Sequence, residues 1–268
     1  MDIILKEKEI ALKSIETGYI DEKKPTNTIR ILIKYYYNIG MNKDQILDEL
    51  ESFMRKYYLD FNAVSWQNIL EGMIKTYAND KQTLVNIDSI RINKLELEKI
   101  KDLNDLKLEK LSFVLLVYAK ILNKINDKNN NWVNKSSSII FKEALLKDTG
   151  KKQKLILKQL KDLEYISIPK MVNKTSLRIN YINEESEDVE IEIFDFRDFV
   201  LEYLKWRGEK VDICENCSRL ILQSSNHKKY CKECFEKNRL IYKAQKEKEY
   251  RENRKRGQLE TYSNTLEE

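Results

Sequence analysis

The residues of this chain best suited to metal chemistry are its four cysteines, which form two CxxC pairs. Cys214 and Cys217 make the first pair, Cys231 and Cys234 make the second, and thirteen residues separate the pairs. Thiolates at this spacing are typical of a tetrahedral zinc site in which each pair supplies two ligands. Because four sulfur ligands leave no open position for water or substrate, the pattern predicts one structural Zn²⁺. Two disulfides or four separate buried thiols are the alternatives.

The first residues and the apolar stretches indicate where the protein works. Residues 1 to 6 have neither a basic start nor a long apolar run, so a cytoplasmic location is expected. In a reducing cytoplasm, CxxC pairs are more often metal ligands than disulfides. The longest apolar stretches, such as residues 113 to 117, are too short to span a bilayer, and no membrane partner is expected.

The composition predicts a mainly α fold. Only 6 Gly and 2 Pro occur among the 268 residues, whereas Lys, Glu, Leu and Ile, which favour helices, are abundant. The net charge of +5 is concentrated near the C-terminus, since residues 226 to 256 contain twelve Lys or Arg and five Glu. This distribution favours an anionic partner at that end, and a merely solvated surface is the alternative.

Residues 1 to 94 are predicted to form an N-terminal helical domain and a connector. Apolar residues recur at helical spacing in three segments, around residues 29 to 37, 46 to 54 and 66 to 77. A cluster of tyrosines could stack on bases, but packing between helices is the favoured interpretation. These tyrosines are Tyr35, Tyr36, Tyr37, Tyr57 and Tyr58.

Residues 95 to 183 show an ordered succession of predicted elements. The elements are a helix at 95 to 125 broken near Asn104, an extended piece at 132 and 133, a helix at 136 to 146, a helix at 151 to 163 with Thr149 as its N-cap, and strands at 165 to 168 and 176 to 181. Helix, strand, helix, turn, helix and hairpin is the order of a winged helix-turn-helix domain, which this segment resembles.

The helix predicted at 151 to 163 carries an exposed stripe of lysines at positions i, i+3, i+7 and i+10. Leu155, Ile156, Leu160 and Leu163 are predicted to form its buried face. The resemblance implies that this helix lies in the major groove of double-stranded DNA and that the wing contacts the adjacent backbone. Winged helices also serve as protein-binding modules, and lysine stripes also occur on solvated surfaces. The expected DNA contacts are Lys151, Lys154, Lys158, Lys161, Lys170, Lys174 and Arg178.

Residues 184 to 210 are predicted to form an acidic bridge and a helix. Val189, Ile191 and Ile193 alternate with glutamates, which predicts an edge strand. Asp195 is expected to cap the helix that follows. Nothing in this segment indicates a reaction.

Residues 211 to 256 are predicted to form a four-cysteine zinc finger with a basic helical tail, followed by a disordered tail at 257 to 268. Residues 219 to 223 and 228 to 230 are expected to pair as a hairpin, and the second cysteine pair to begin a helix. This arrangement resembles a treble-clef finger, a group that binds DNA, RNA and proteins alike. The expected phosphate contacts are Lys228, Lys229, Arg239, Lys243, Arg251 and Arg254.

The overall layout resembles proteins encoded by phages and integrated elements of low-GC Gram-positive bacteria, a resemblance that implies no particular activity. It rests on residues 110 to 120 and 131 to 134 and on the KYC-x-x-C finger with its basic helix. The sequence contains no GxSxG, HExxH or glycine-rich phosphate loop, and its one histidine is His227, so no enzyme is expected. The expected function is a zinc-containing DNA-binding protein in transcription regulation or replication of a phage or mobile element. The alternative is a protein-binding adaptor or inhibitor that engages a host complex, with purely structural zinc.

Overall fold

In the computed structural model of the chain, the described residues are 5–18, 24–169, 176–184, 186–223 and 228–264, with the backbone alone for 253–264. They form ten helices and seven strands. The helices are α1 (Glu7–Thr17), α2 (Pro25–Asn38), α3 (Lys43–Tyr57), α4 (Ala63–Tyr77), α5 (Lys94–Lys101), α6 (Leu106–Ile125), α7 (Ser137–Glu143), α8 (Lys151–Asp162), α9 (Val200–Trp206) and α10 (Lys232–Asn264). The strands are β1 (Ile90–Asn93), β2 (Trp132–Val133), β3 (Ile166–Ser167), β4 (Leu177–Ile179), β5 (Val189–Ile193), β6 (Val211–Ile213) and β7 (Leu220–Leu222).

This part of the chain is mainly helical, which confirms the fold class that the composition predicts. It divides into two compact units, 1–90 with 119–132 and 91–118 with 133–268. The sequence predicts domain boundaries near residues 94, 183, 210 and 256, which stay predictions. Helix α6 contributes residues to both units.

The first unit is built on the helices α1 to α4. Asn42 begins α3 with a capping box, since its side chain accepts a hydrogen bond from the Gln45 N–H at 2.9 Å and its own N–H donates to the Gln45 side chain at 2.9 Å. The apolar faces of these helices are buried together, as their periodicity predicts. The buried core residues are Ala11, Ile29, Ile31, Leu32, Ile33, Tyr36, Ile46, Leu50, Phe53, Met54, Leu70, Ile74 and Ala78.

The tyrosines considered as a base-stacking platform belong to this core. Tyr36 is buried, and Tyr35, Tyr37, Tyr57 and Tyr58 are packed partly buried against the same cluster. Burial raises the pKa of Tyr36 to about 12, so its hydroxyl remains neutral at physiological pH. The prediction that these rings pack between helices is therefore confirmed.

A buried carboxylate fastens α1 within the first unit. The Glu7 carboxylate accepts hydrogen bonds from Lys34 Nζ at 3.1 Å and from the Val85 N–H at 2.9 Å. A guanidinium nitrogen of Arg30 lies 3.7 Å from the same carboxylate. Because Glu7 and Lys34 are both nearly inaccessible to solvent, these partners replace the hydration that the two charges lose.

The second unit begins with two helices where one broken helix is predicted at 95 to 125. A capping box between Asn93 and Glu96 begins α5. The chain leaves the helical conformation between α5 and α6, where Asn104 takes a positive φ of 49°. The predicted break near Asn104 is confirmed, and its physical basis is that asparagine tolerates the left-handed region better than most residues.

A buried polar contact ties α6 to α9. Glu109 is fully buried, accepts a hydrogen bond from the Tyr203 hydroxyl at 2.7 Å, and lies 3.0 Å from Arg207 Nε. Burial and this hydrogen bond raise the pKa of Tyr203. The phenol therefore acts as a neutral donor to the carboxylate.

Three short strands form a sheet in the order β2-β4-β3. Strands β3 and β4 are antiparallel, with Ile166 opposite Ile179, and Leu157 and Leu160 are the buried residues of α8. The chain order α6, β2, α7, α8, β3, β4 follows the order of elements that the sequence predicts. The remaining strand pairs are β1 with β5 and β6 with β7.

Two of the predicted helix caps are wrong. The N-cap of α8 is Gly150, at a positive φ of 50°, and no side chain caps this helix, so Thr149 does not have the predicted role. The N-cap of α9 is Phe199, and the Asp195 carboxylate instead binds the Arg197 guanidinium at 2.6 Å. Helix α8 begins at Lys151, as predicted, which places Gly150 at its N-cap, and α9 begins at Val200, five residues after Asp195.

The last helix extends farther than predicted. Helix α10 continues to Asn264, so 257–264 are helical where a disordered tail is expected, and 265–268 lie outside the described residues. The segment contains no proline that would end a helix.

Candidate metal centre and basic helix α8

The four cysteines meet where a two-stranded ribbon joins the start of α10. Cys214 follows β6, Cys217 lies in the turn before β7, Cys231 immediately precedes α10, and Cys234 lies in its first turn. All four are free thiols. The CxxC spacing lets both sulfur atoms of a pair reach one point. The ribbon and the helix bring the two pairs together.

The ribbon differs from the hairpin that the sequence predicts. Strand β7 pairs with β6, with Asp212 opposite Ile221, rather than with residues 228 to 230. Side chains connect those segments instead, since Gln223 Nε2 donates to the Lys228 carbonyl at 2.9 Å and Lys228 Nζ donates to the Leu222 carbonyl at 2.8 Å. The predicted turn at 224 to 226 and His227 lie outside the described residues.

The distances between the sulfur atoms fit a single metal ion. One ligand atom from each of the four cysteines lies within 4.8 Å of the others, and the Sγ atoms of Cys217 and Cys231 are 3.7 Å apart. A tetrahedral ion with metal–sulfur bonds of about 2.3 Å requires sulfur–sulfur separations of about 3.8 Å. Cys214 and Cys231 are buried, while Cys217 and Cys234 are partly exposed. The cluster could therefore hold one metal ion.

Hydrogen bonds separate the acidities of these thiols. Burial raises the pKa of Cys214, but several hydrogen-bond donors, including the Cys231 N–H at 3.2 Å, together lower it to about 6. Hydrogen bonding to Cys217, with a further contribution from burial, raises the pKa of Cys234 to about 12. When a metal cation binds, these thiols lose the protons that they share through hydrogen bonds.

Two arginines lie beside the cysteines. Arg197 Nη2 donates to the Cys217 carbonyl at 3.0 Å, and Arg219 Nη2 lies 3.0 Å from Glu233 in the first turn of α10. A divalent ion bound by four thiolates is a negatively charged centre, and nearby cations lower the electrostatic cost of that charge. Sequence reasoning missed both arginines; the only available signal was that Arg219 lies two residues after Cys217.

Little apolar surface is buried around the cysteines. The buried members of this cluster are Cys214, Ile221 and Cys231, with Cys217, Tyr230 and Cys234 partly buried around them. Four of these six side chains are therefore not ordinary hydrophobic residues but potential ligands. A bound ion would supply a cross-link that this small core cannot replace.

The lysine stripe of α8 is exposed along the helix. Lys151, Lys154, Lys158 and Lys161 are all exposed, so the structure leaves the four predicted contacts accessible. Over the ten residues from the first to the last of these lysines, a helix rises about 15 Å.

The buried face of α8 differs from the predicted face. Leu160 is buried and Ile156 is half-buried, but Leu155 is 58% exposed and Leu163 is also exposed. Leu157 is buried in their place. The sequence contains more leucines than one face can bury, and only the packing of the helix decides which of them are covered.

Three predicted contacts around the wing have different placements. Lys170 and Lys174 lie outside the described residues. Arg178 is half-buried in β4. Of the predicted DNA contacts, those on α8 therefore form an exposed basic surface.

The predicted phosphate contacts of the finger are partly engaged within it. Lys228 bonds to a carbonyl of β7, Lys229 lies 3.3 Å from Glu215, and Arg239 lies 2.8 Å from Glu236. Exposed ion pairs of this kind are weak, so they leave the cations available to a stronger anion. Lys243 and Arg251 are exposed on α10, and the side chain of Arg254 lies outside the described residues.

Comparison with protein-family models, with curated proteins and with solved structures yields no significant match to this chain. Within the described part of the chain, no helix is both long enough and apolar enough to cross a membrane. The function must therefore be inferred from the metal centre and the charged surfaces themselves.

Proposed function

We propose that this chain is a zinc-containing DNA-binding protein whose central segment is a winged helix-turn-helix domain. The observation that carries the proposal is the exposed row of lysines on α8. In support, α8 follows α7 after a short turn and precedes the antiparallel pair of β3 and β4, which is the order of elements in winged helices.

In this proposal α8 enters the major groove of double-stranded DNA. The four lysines Lys151, Lys154, Lys158 and Lys161 would neutralise phosphates on the groove walls and release counterions, which gives salt-dependent affinity. Phosphate contacts of this kind position a protein without selecting a sequence. The Gln153 side chain is engaged within the protein, because its Nε2 donates to the Asp148 carbonyl at 2.7 Å.

Leu155 offers a source of sequence preference that the lysines lack. It is an exposed apolar side chain among the lysines of α8, and apolar side chains in the major groove contact the C5-methyl group of thymine. We expect Leu155→Ala to lower the preference for thymine at one position of the site while leaving affinity for unrelated duplex DNA nearly unchanged. Competition between duplexes that differ at that position measures the effect.

The finger would contribute structure and further phosphate contacts. Zinc fits the four-sulfur donor set, and with no open coordination position it would cross-link Cys214, Cys217, Cys231 and Cys234 rather than activate a substrate. The exposed cations of α10 would lie along the DNA backbone. The chain would act by binding and not by catalysis, in transcription regulation or replication of a phage or mobile element.

Binding to labelled duplex DNA across a salt series tests the proposal. The test variant is Lys154→Glu/Lys158→Glu, and the matched control is Lys8→Glu/Lys13→Glu, which makes the same charge change on exposed lysines of α1. The test variant is expected to bind more weakly. The slope of log affinity against log salt concentration should become shallower by about two units, one for each lysine changed. Absence of binding by the zinc-loaded wild type at low salt, or equal loss in both variants, would contradict the proposal.

A protein-binding adaptor is the second candidate, and one observation favours it. Leu59 in the turn between α3 and α4 is completely exposed, and Val64 in the first turn of α4 is largely exposed. Exposed apolar patches mark protein interaction sites. Capture of one partner by the wild type, lost in Leu59→Ser/Val64→Ser but retained in Lys154→Glu/Lys158→Glu, would support this alternative over DNA binding.

A further inference from the structure

A positively charged cavity lies between the start of α6 and the turn that joins α7 to α8. Its volume is about 570 Å³, and five lysines and one aspartate are among the residues that line it. Leu145 and Leu146 form an apolar part of the wall. The charged lining residues are Lys107, Lys110, Lys147, Lys151, Lys152 and Asp148. The volume falls within the range of small-molecule sites and exceeds what one small inorganic ion fills.

The positive charge of this cavity is mostly uncompensated. Lys107 Nζ lies 3.5 Å from the Asp148 carboxylate, and Asp148 is the one carboxylate among the lining residues. Four lysines therefore face the same space without a carboxylate partner of their own in the described part of the chain. Lysines drawn together in this way repel each other, and an anion placed among them relieves the repulsion.

Lys110 is the least exposed of the five lysines that line the cavity. It projects from α6 and is half-buried, whereas the other four lining lysines are exposed. Burial lowers the pKa of Lys110, and the charge of Lys107 lowers it further, with Asp148 acting in the opposite direction. An anion in the cavity would favour the charged form of Lys110 and so would be bound in return.

The first turn of α8 strengthens the same field. Thr149, Lys151 and Lys152 line the cavity, and the N-cap of this twelve-residue helix is Gly150, which has no side chain to cap the first turn. The partial positive charge of a helix N-terminus favours an anion there. The cavity thus combines side-chain cations from α6 and α8 with a helix terminus.

We propose that this cavity is a phosphate-binding site. Phosphate is the anion that matches a cluster of several lysine point charges and a helix N-terminus. The group can come from a backbone phosphate of DNA or from a free phosphorylated small molecule whose apolar part contacts Leu145 and Leu146. Only the DNA source rests on the proposed function, and it is consistent with Lys151 belonging to both the cavity and the α8 stripe.

Calorimetric titration of the full-length protein with inorganic pyrophosphate tests the site itself. The test variant is Lys110→Met/Lys152→Met, and the control is Lys142→Met, an exposed lysine of α7 that does not line the cavity. Because Lys110→Met removes a partly desolvated charge, the test variant is expected to fold. We expect its affinity for pyrophosphate to fall about tenfold or more, with the control unchanged. No binding by the wild type, or equal binding by both variants, overturns the proposal.

Duplex DNA titrated over a salt series with the same variants identifies the source of the phosphate. If DNA supplies it, Lys110→Met/Lys152→Met lowers duplex affinity and the slope of the salt dependence, and pyrophosphate competes with the duplex. If a free phosphorylated molecule supplies it, the variant loses pyrophosphate binding but keeps the duplex affinity of the control. Pyrophosphate binding at the cavity in a protein that binds no duplex would reject the DNA function and leave the phosphate site standing.

Discussion

The first compact unit is stabilised differently from the four-cysteine module, by which we mean β6, β7 and the first turn of α10 with the four cysteines. The first unit buries a continuous cluster of isoleucine, leucine, tyrosine, phenylalanine and methionine side chains from α1 to α4. Among its described residues, the module buries Ile221 and two cysteines, Cys214 and Cys231. The first unit can fold on burial of apolar surface, whereas a cluster as small as that of the module normally requires a metal or other cross-link.

In the module, cysteines occupy most of the covered positions, which apolar side chains occupy in the first unit. A buried leucine stabilises its neighbours through contacts that are individually weak and numerous. A metal ligand stabilises through few strong bonds, so the loss of one ligand has a far larger effect. Substitutions in the two regions should therefore change stability by different amounts. Each change in stability should be confined to the region that carries the substitution.

The largest effect is expected from Cys231→Ser. Removal of one sulfur ligand should release the metal and unfold the module, since structural zinc contributes about 10–16 kcal/mol in finger peptides. Metal content, measured by mass spectrometry, should fall from about one ion per chain to near zero. Hydrogen exchange should show lost protection at β6 and β7 and unchanged protection in α2 to α4.

A chelator should reproduce that result in the wild-type protein. Glu215→Gln is the control for Cys231→Ser, because Glu215 lies between Cys214 and Cys217 but is exposed and pairs with Lys229 only at the surface. It should retain its metal. If Cys231→Ser kept a full equivalent of metal, the four-cysteine site would be rejected.

A smaller effect, confined to the first unit, is expected from Leu50→Ala. Leu50 is fully buried in the core of that unit, so the substitution should destabilise it by about 2–5 kcal/mol through lost burial and a cavity. Leu59→Ala removes the same atoms from a fully exposed site and should change stability little. Chemical denaturation of the metal-loaded variants measures their free energies of unfolding. Hydrogen exchange at α3 then shows whether the change lies in the first unit.

An effect of about 1–3 kcal/mol is expected from Lys34→Met, because it removes one partner of the buried Glu7 carboxylate and leaves Arg30 and the Val85 N–H. Thermal unfolding of the first unit reports the change. The double variant Glu7→Gln/Lys34→Met removes both charges and should recover part of the loss. If the double variant is as unstable as the sum of its single variants, the ion pair is not the reason for the effect.

The smallest of these effects is expected from Asn42→Ala. It removes the side-chain acceptor of the capping box that begins α3 and should lower stability by about 1 kcal/mol. Asn42→Ser keeps an oxygen acceptor at the N-cap and should lose much less. Urea unfolding midpoints of the two variants decide the point, and equal losses would show that α3 does not depend on this cap.

The sequence was sufficient for the features that depend on local order along the chain. Residue periodicity predicted α2, α3 and α4, and the asparagine near 104 predicted the break before α6. The CxxC spacing predicted four cysteines around one point, because two residues between cysteines are enough to bring a pair together. A mainly α fold followed from the scarcity of glycine and proline.

Only the tertiary structure decided which residues from distant parts of the chain meet. It placed β7 against β6 rather than against residues 228 to 230, left Leu155 exposed while covering Leu157, and brought Lys110 of α6 to the start of α8. Periodicity states that one face of a helix is buried but not which neighbour covers it. The ribbon and the cavity depend on long-range pairing and packing, and their energies come from contacts that have no local signature in the sequence.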